Sequence, residues 1–257
     1  MRKRETDYIG QVIKRYEEVE STNTEAKKWA KQDGKEGHII VAETQTAGKG
    51  RRGRHWVSPK GVGIWMSMIL KPNVDMTRIP QITLLAGYAM CEALRKVSGE
   101  PIQIKWPNDL VLGSKKICGV LCEASIQANQ VQAVIVGIGV NVNTENFETA
   151  LPYASSLKKE TGRCYDREEI IATFCEYFEP LYEAYQAEGD LSSILSNYKR
   201  YCINFYNKTK IIDNNTTYEA EVIDLEADGA LIVVDNENRK KRIIAGEVSV
   251  RGLYDYV

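Results

Sequence analysis

The sequence predicts an α+β fold: a mixed, mainly antiparallel sheet with helices on one side, followed by a small β-barrel or β-roll. Three observations carry the prediction. Apolar residues in Ile79–Val97 recur near a 3.6-residue period, the mark of an amphipathic helix. Short apolar runs between 102 and 142 are separated by turn residues, the mark of an antiparallel meander. After Tyr206 the helical periods give way to short strands, which suits a small closed or rolled β unit.

The elements follow in order. Residues 11–20 read as an opening strand. Thr22 and Glu25 have the spacing of a capping box, so a short helix is expected to run to about Gln32, with Gly34 and Gly37 ending it. His38–Thr44 is a buried strand, 45–61 a long polar loop, and Val62–Leu70 a strand closed by Lys71-Pro72-Asn73. The helix Ile79–Val97 stops at Gly99. Ile102–Trp106, Leu110–Leu112, Ile117–Ile126 and Val131–Val142 form the meander, with Ala128-Asn129 as its last turn. Helices are expected at Asp166–Ala187, bent or split by Pro180, and at Leu191–Cys202. The stretch 145–190 has eleven acidic and four basic side chains and reads as a solvated outer face. Lys208–Ile212, Tyr218–Leu225, Ala230–Val234 and Arg242–Arg251 are the later strands, with Asn214-Asn215 as one of their turns. The division expected is a catalytic domain over 1–206 and a small β domain over 207–257.

Composition narrows the function classes. The 257 residues carry 34 Lys+Arg against 35 Asp+Glu, a net charge of −1, so a general nucleic-acid binder is disfavoured and any phosphate chemistry must use a local basic patch. No apolar run approaches the ~20 residues that span a bilayer. The charged start has no apolar stretch behind it, unlike a signal peptide. Six cysteines without a Cys-x-x-Cys pair, and only two histidines, speak for reduced thiols rather than zinc or disulfides. The expected location is the cytoplasm.

Three segments bear chemistry. Gly48-Lys49-Gly50-Arg51-Arg52-Gly53-Arg54 interleaves four cations with three glycines, so an anion can approach both backbone and charge. It also matches Gly-x-Gly-x-x-Gly, but Arg54-His55-Trp56-Val57-Ser58-Pro59 is a poor helix start for a dinucleotide fold. Lys105-Trp106-Pro107-Asn108-Asp109 puts a lysine and a carboxylate at a strand–turn–strand junction. Lys105 is a point charge for a carboxylate or phosphate, and Asp109 a ligand for magnesium; Pro-Asn-Asp by itself is ordinary turn chemistry. In Gly137-Ile138-Gly139-Val140-Asn141-Val142-Asn143, glycines inside an apolar strand imply a bulge or a close backbone approach. Asn141 and Asn143 share a strand face, and Asn can read a base.

In this order, with Ser21-Thr22-Asn23, Glu43-Thr44-Gln45 and Lys116–Glu123, these segments resemble the biotin–protein ligases, over roughly residues 10–205. Residues 207–257 resemble that family's small SH3-like β domain. The resemblance implies an ATP-dependent, AMP-forming enzyme. It activates biotin as biotinyl-5'-AMP and transfers it to a specific lysine of a biotin carboxyl carrier protein, with ATP and Mg2+ required. It implies that Ser21, Thr22, Asn23, Gln45, Lys49, Gly50, Arg51, Lys105 and Gly119 bind biotin. Arg52, Arg54, Trp56, Lys116 and Asn141 bind ATP in the same reading, Lys105 and Arg51 are catalytic, and Asp109 holds the metal. The family pattern usually has Arg where this chain has Lys49. Only 20 residues precede Ser21, so the form expected is the monofunctional one, without a DNA-binding domain. The partner expected is the carrier protein, with no DNA and no membrane; a homodimer is left open. The competing readings are a lipoate or octanoate transferase of the same superfamily, and a nucleic-acid binder using the basic loop.

Overall fold

The structure is a computed structural model that describes residues 5–127, 130–149, 151–213, 216–245, 249–252 and 256. The expected turns at Ala128-Asn129 and Asn214-Asn215 lie outside the described residues. The strands β1 (Ile13–Val19), β2 (Ile39–Gln45), β3 (Gly63–Leu70), β4 (Gln103–Lys105), β5 (Asp109–Leu112), β6 (Lys115–Gln127) and β7 (Gln130–Asn141) form one sheet in the order β1-β2-β3-β7-β6-β5-β4. Only β1 and β2 run parallel, joined through helix α1 (Thr22–Gln32); the other neighbours are antiparallel. The meander 4-5-6-7 is the one its turn residues announced.

The main layer of helices is α2 (Ile79–Ser98), α4 (Arg167–Glu188) and α5 (Ser192–Tyr201), with a short α3 (Leu157–Thr161) between α2 and α4 in the chain. Gly99 ends α2 at φ 76, a left-handed value that glycine adopts without a Cβ clash. Pro180 lies inside α4, which continues through it. Strand alternation explains the two faces. Ile39, Met68 and Leu70 join the large core under α2 and α4, while Ile40 and Ile69 point the other way and meet Ala26 and Trp29 of α1. One helix thus covers the opposite face, a refinement of the expected layout.

The acidic stretch 145–190 is not wholly solvated. Glu179 is buried, and its carboxylate accepts the backbone N–H groups of Asp7, Tyr8 and Ile9 at 2.6–2.9 Å. A hydrophobic period alone could not reveal a carboxylate whose partners lie some 170 residues away.

The second sheet comprises β8 (Lys208–Asp213), β9 (Thr216–Leu225), β10 (Leu231–Asp235), β11 (Lys240–Ile243) and β12 (Ser249–Gly252), ordered β11-β10-β9-β8-β12. The single strand expected over Arg242–Arg251 is in fact two, at opposite edges of this sheet. The expected division at 206/207 falls in the connection between α5 and β8. Buried side chains of both sheets, such as Leu110 and Val222, belong to one continuous core. Trp106 is fully buried there; its backbone N–H donates to Asn204 Oδ1 at 2.8 Å and its indole N–H to the Gly229 carbonyl at 3.2 Å.

Candidate active site

A cleft opens on the main sheet where α1 starts, where the 45–58 loop folds back, and where β6 and β7 pass beneath. Its floor is glycine for a steric reason. A Cβ on Gly137 would collide with the Asn23 side-chain oxygen, and a Cβ on Gly139 would stand 2.6 Å from the Trp56 indole. The register of β7 against β3 is unbroken here, with Gly137 opposite Ser67 and Gly139 opposite Trp65. Close approach, not a bulge, is therefore why glycine interrupts this apolar strand.

One end of the cleft is neutral. Ser21, the N-cap of α1, is buried and makes no side-chain capping bond. Thr22 was expected to cap the helix with Glu25. Instead its backbone N–H donates to Gln45 Oε1 at 2.8 Å, its hydroxyl lies 3.1 Å from the same atom, and Glu25 pairs with Lys28. Gln45 Nε2 donates to Ser58 Oγ at 2.8 Å. Asn23 Nδ2 donates to Glu123 Oε2 at 2.7 Å, and Lys27 Nζ to Glu123 Oε1 at 2.7 Å. Ser67 Oγ lies 2.6 Å from Asn23 Oδ1 and 2.7 Å from Thr22 Oγ1.

The other end is cationic. Residues 48–56 form a narrow hairpin: Gly50 N–H donates to the Arg54 carbonyl at 2.7 Å, and Trp56 N–H to the Gly48 carbonyl at 2.9 Å. Arg52 takes φ 56 at its tip. Arg51 Nη1 donates to Asn108 Oδ1 at 2.8 Å; burial lowers its pKa, opposed by the nearby Asp109 charge. Lys49 Nζ donates to Thr24 Oγ1 at 3.0 Å. Lys116 Nζ stands 5.1 Å from the Trp56 ring centre and 2.6 Å from Asp109 Oδ1. The buried Trp56 indole N–H has no partner.

Ten residues singled out in the sequence line this cleft together: Ser21, Thr22, Asn23, Gln45, Lys49, Gly50, Arg51, Trp56, Lys116 and Gly119. Five others do not line it. Asn141 donates its amide to the Ser155 carbonyl at 3.0 Å and so anchors a backbone segment beside the cleft. Arg52 and Arg54 belong to the hairpin beyond the cleft wall. Lys105, singled out as a point charge for a carboxylate or phosphate, is buried: Nζ donates to the Val250 carbonyl at 2.8 Å and lies 4.3 Å from the Tyr256 ring centre. Val250 of β12 lies over it there. Burial pushes the Lys105 pKa down to about 8, opposed by Asp109.

Asp109 does not fit a resident magnesium ion. One oxygen faces Lys116, the other accepts the Tyr256 hydroxyl, and the described residues include no group of three His, Cys, Asp or Glu side chains that could hold a metal. Burial favours its protonated form, but Lys116, Lys105 and the Tyr256 hydroxyl outweigh it and hold its pKa below the usual carboxylate range.

The cleft thus joins a wired neutral end to a cationic end over glycine, an arrangement for a ligand with a neutral polar head and an anionic tail. Comparison with known proteins agrees. Residues 16–141 match the biotin/lipoate A/B protein ligase family, and residues 209–251 match the biotin protein ligase C terminal domain. The chain is 34% identical over 239 residues to the bifunctional ligase/repressor BirA of Bacillus subtilis, covering 92% of this chain and 73% of that one. It is 36% identical over 179 residues to the biotin--[acetyl-CoA-carboxylase] ligase of Paracoccus denitrificans, covering 67% and 72%. Its structure superposes on the biotin protein ligase from Aquifex aeolicus in complex with biotin and ATP with a TM-score of 0.82. That match has 27% identity and covers 94% of this chain and 99% of that one. With its own two sheets in the same order as those two matched regions, the chain belongs to the biotin protein ligase family.

Proposed function

We propose that this protein activates biotin with ATP as biotinyl-5'-AMP and transfers the biotinyl group to a lysine of a biotin carboxyl carrier protein. The observation that carries the reading is the single cleft with its neutral and cationic ends. Biotin has the same two ends, a ureido ring and a carboxylate. A carboxylate is a poor electrophile, so it must be activated before an amine can attack. One carboxylate oxygen attacks the α-phosphorus of ATP, and pyrophosphate leaves. Two anions meet in that step, and Lys49, Arg51 and Lys116 supply positive charge that is already in place. Arg52 and Arg54 extend that charge along the hairpin toward the triphosphate. Trp56 offers an aromatic face and an unpartnered N–H.

Lys105 serves the crowded transition state in this reading, reaching it by exchanging the Val250 carbonyl for a substrate oxygen. In the second step the carrier's amine attacks the acyl carbon, AMP leaves, and the amine loses a proton. Asp109, held at a low pKa, is a weak base, so the leaving phosphate is the better acceptor. Magnesium belongs with the triphosphate rather than on Asp109. The location that suits this reaction is the cytoplasm, where ATP and newly made carrier protein are available; no helix of the described residues is long and apolar enough to cross a membrane.

The test mixes the protein with biotin, MgATP and a carrier domain. Mass spectrometry should find one biotinyl group on the carrier lysine. No biotinyl adduct, or an adduct with lipoate in place of biotin, would overturn the reading.

A further inference from the structure

The hydrogen bonds at the neutral end can be given a direction by counting protons. Glu123 accepts from both Lys27 Nζ and Asn23 at 2.7 Å. An ionised carboxylate only accepts, so the Asn23 atom facing it must be the amide nitrogen. The Asn23 oxygen then faces Ser67, and it too can only accept. Ser67 therefore spends its single hydroxyl proton on Asn23 Oδ1, 2.6 Å away. The Thr22 hydroxyl then has one proton and two neighbours that only accept, Ser67 Oγ at 2.7 Å and Gln45 Oε1 at 3.1 Å; Gln45 already takes the Thr22 backbone N–H, and the shorter Ser67 contact carries the proton. That leaves the Thr22 hydroxyl with lone pairs only, at the wall of the cleft. Ser21 beside it makes no capping bond and keeps its proton for a ligand.

We infer that Glu123, which does not itself line the cleft, is a positioning and specificity-determining residue: it sets the hydrogen-bond polarity of the ureido end. Through Asn23 and Ser67 it makes Thr22 an acceptor, so the ligand must bring an N–H to that point. The inference rests on the functional reading above and names what its neutral end selects: a cyclic urea with N–H groups, not merely any polar ring. Ser67 is the second member of the relay. It is fully buried and sits opposite Gly137, the glycine that makes room for Asn23. Neither Glu123 nor Ser67 needs to touch the ligand.

The experiment measures binding of two probes to the full chain by calorimetry. One is biotin, and the other is the biotin analogue in which a ring oxygen replaces one ureido N–H. The parent should prefer biotin by roughly 10–100-fold, the usual scale for leaving a buried acceptor without its donor. In Glu123→Gln the side chain can donate or accept, so the direction of the relay is no longer imposed. Biotin binding should weaken by about 10-fold, and the preference over the oxygen analogue should shrink toward unity. Ser67→Ala cuts the relay one step later and should do the same. The double variant should be no worse than the weaker single one, because both act through Thr22. The KM for ATP should stay within about twofold, and the thermal unfolding midpoint should stay near the parent's, which a general loss of folding would not allow. If the parent binds biotin and either variant retains its full preference over the analogue, the inference is wrong. If the parent does not bind biotin, the functional reading fails first and the inference falls with it.

Discussion

The two ends of the cleft are built on opposite principles. At the neutral end nearly every polar atom already has a partner, and a ligand only completes a network that exists without it. At the cationic end Arg51 and Lys116, with Lys105 buried behind them, surround one carboxylate, and two of the three show the cost: burial lowers the pKa of Arg51 and brings Lys105 to about 8. A fixed set of dipoles suits a group that stays neutral throughout the reaction. Charge held in excess suits groups whose negative charge concentrates as bonds form.

The sharpest way to break this contrast is Lys105→Met. If Lys105 acts in the transition state, biotin-dependent pyrophosphate exchange should fall by roughly 10²–10³. Stability should hold or rise, since the variant removes a buried charge and keeps much of the apolar stem. Exchange near the parental rate would return Lys105 to a structural role.

Paired glycine variants separate the two ends. Gly137→Ala drives a methyl into Asn23, and Gly139→Ala drives one into Trp56. Overpacking of this kind costs about 1–3 kcal/mol. The first should raise the KM for biotin with little change for ATP, and the second should raise the KM for ATP. Identical profiles from the two would mean that the cleft does not divide as described.

The smallest effect is a pH dependence. The Lys105 pKa lies near 8 in the folded protein and near the ordinary 10.5 in the unfolded one. Below pH 8 both states are charged, and the folded state carries the full cost of a buried ammonium. Between about 8 and 10.5 the unfolded chain holds more protons, so this residue's contribution to stability becomes more favourable as pH rises. The stability advantage of Lys105→Met over the parent should therefore be largest at pH 7. It should shrink by about 2 kcal/mol by pH 9.5, read from denaturant midpoints. An advantage independent of pH would mean that Lys105 is not desolvated.

The contrast also explains what the sequence could and could not disclose. The basic hairpin announced itself because four cations and three glycines stand side by side. Strands β6 and β7 and helix α2 were legible from period and turn chemistry. The roles of Ser67 and Glu123 were not legible: Ser67 is one polar residue in an apolar strand, Glu123 closes a segment that carried the resemblance without a role of its own, and their partners are 44 to 100 residues away. A serine within an otherwise apolar β3 was the one available signal. Nor did the sequence show the Val250 carbonyl held by Lys105 or the Ser155 carbonyl held by Asn141. Alternation tells which way a side chain points, not what another segment has laid over it.

Trp106 carries a consequence for how the molecule can be divided. Its indole is buried with an N–H bound to Gly229, so the turn that follows Lys105 is tied to the second sheet's β9–β10 connection as well as to its own sheet. A cut at 206/207 would bare that ring and strip Lys105 of the Val250 carbonyl in one stroke. The chain is consequently a poor subject for module shuffling. A foreign β barrel grafted onto the first 206 residues would need matching surfaces for Trp106 and Lys105, not merely a compatible linker. Heating should melt both sheets in one calorimetric endotherm.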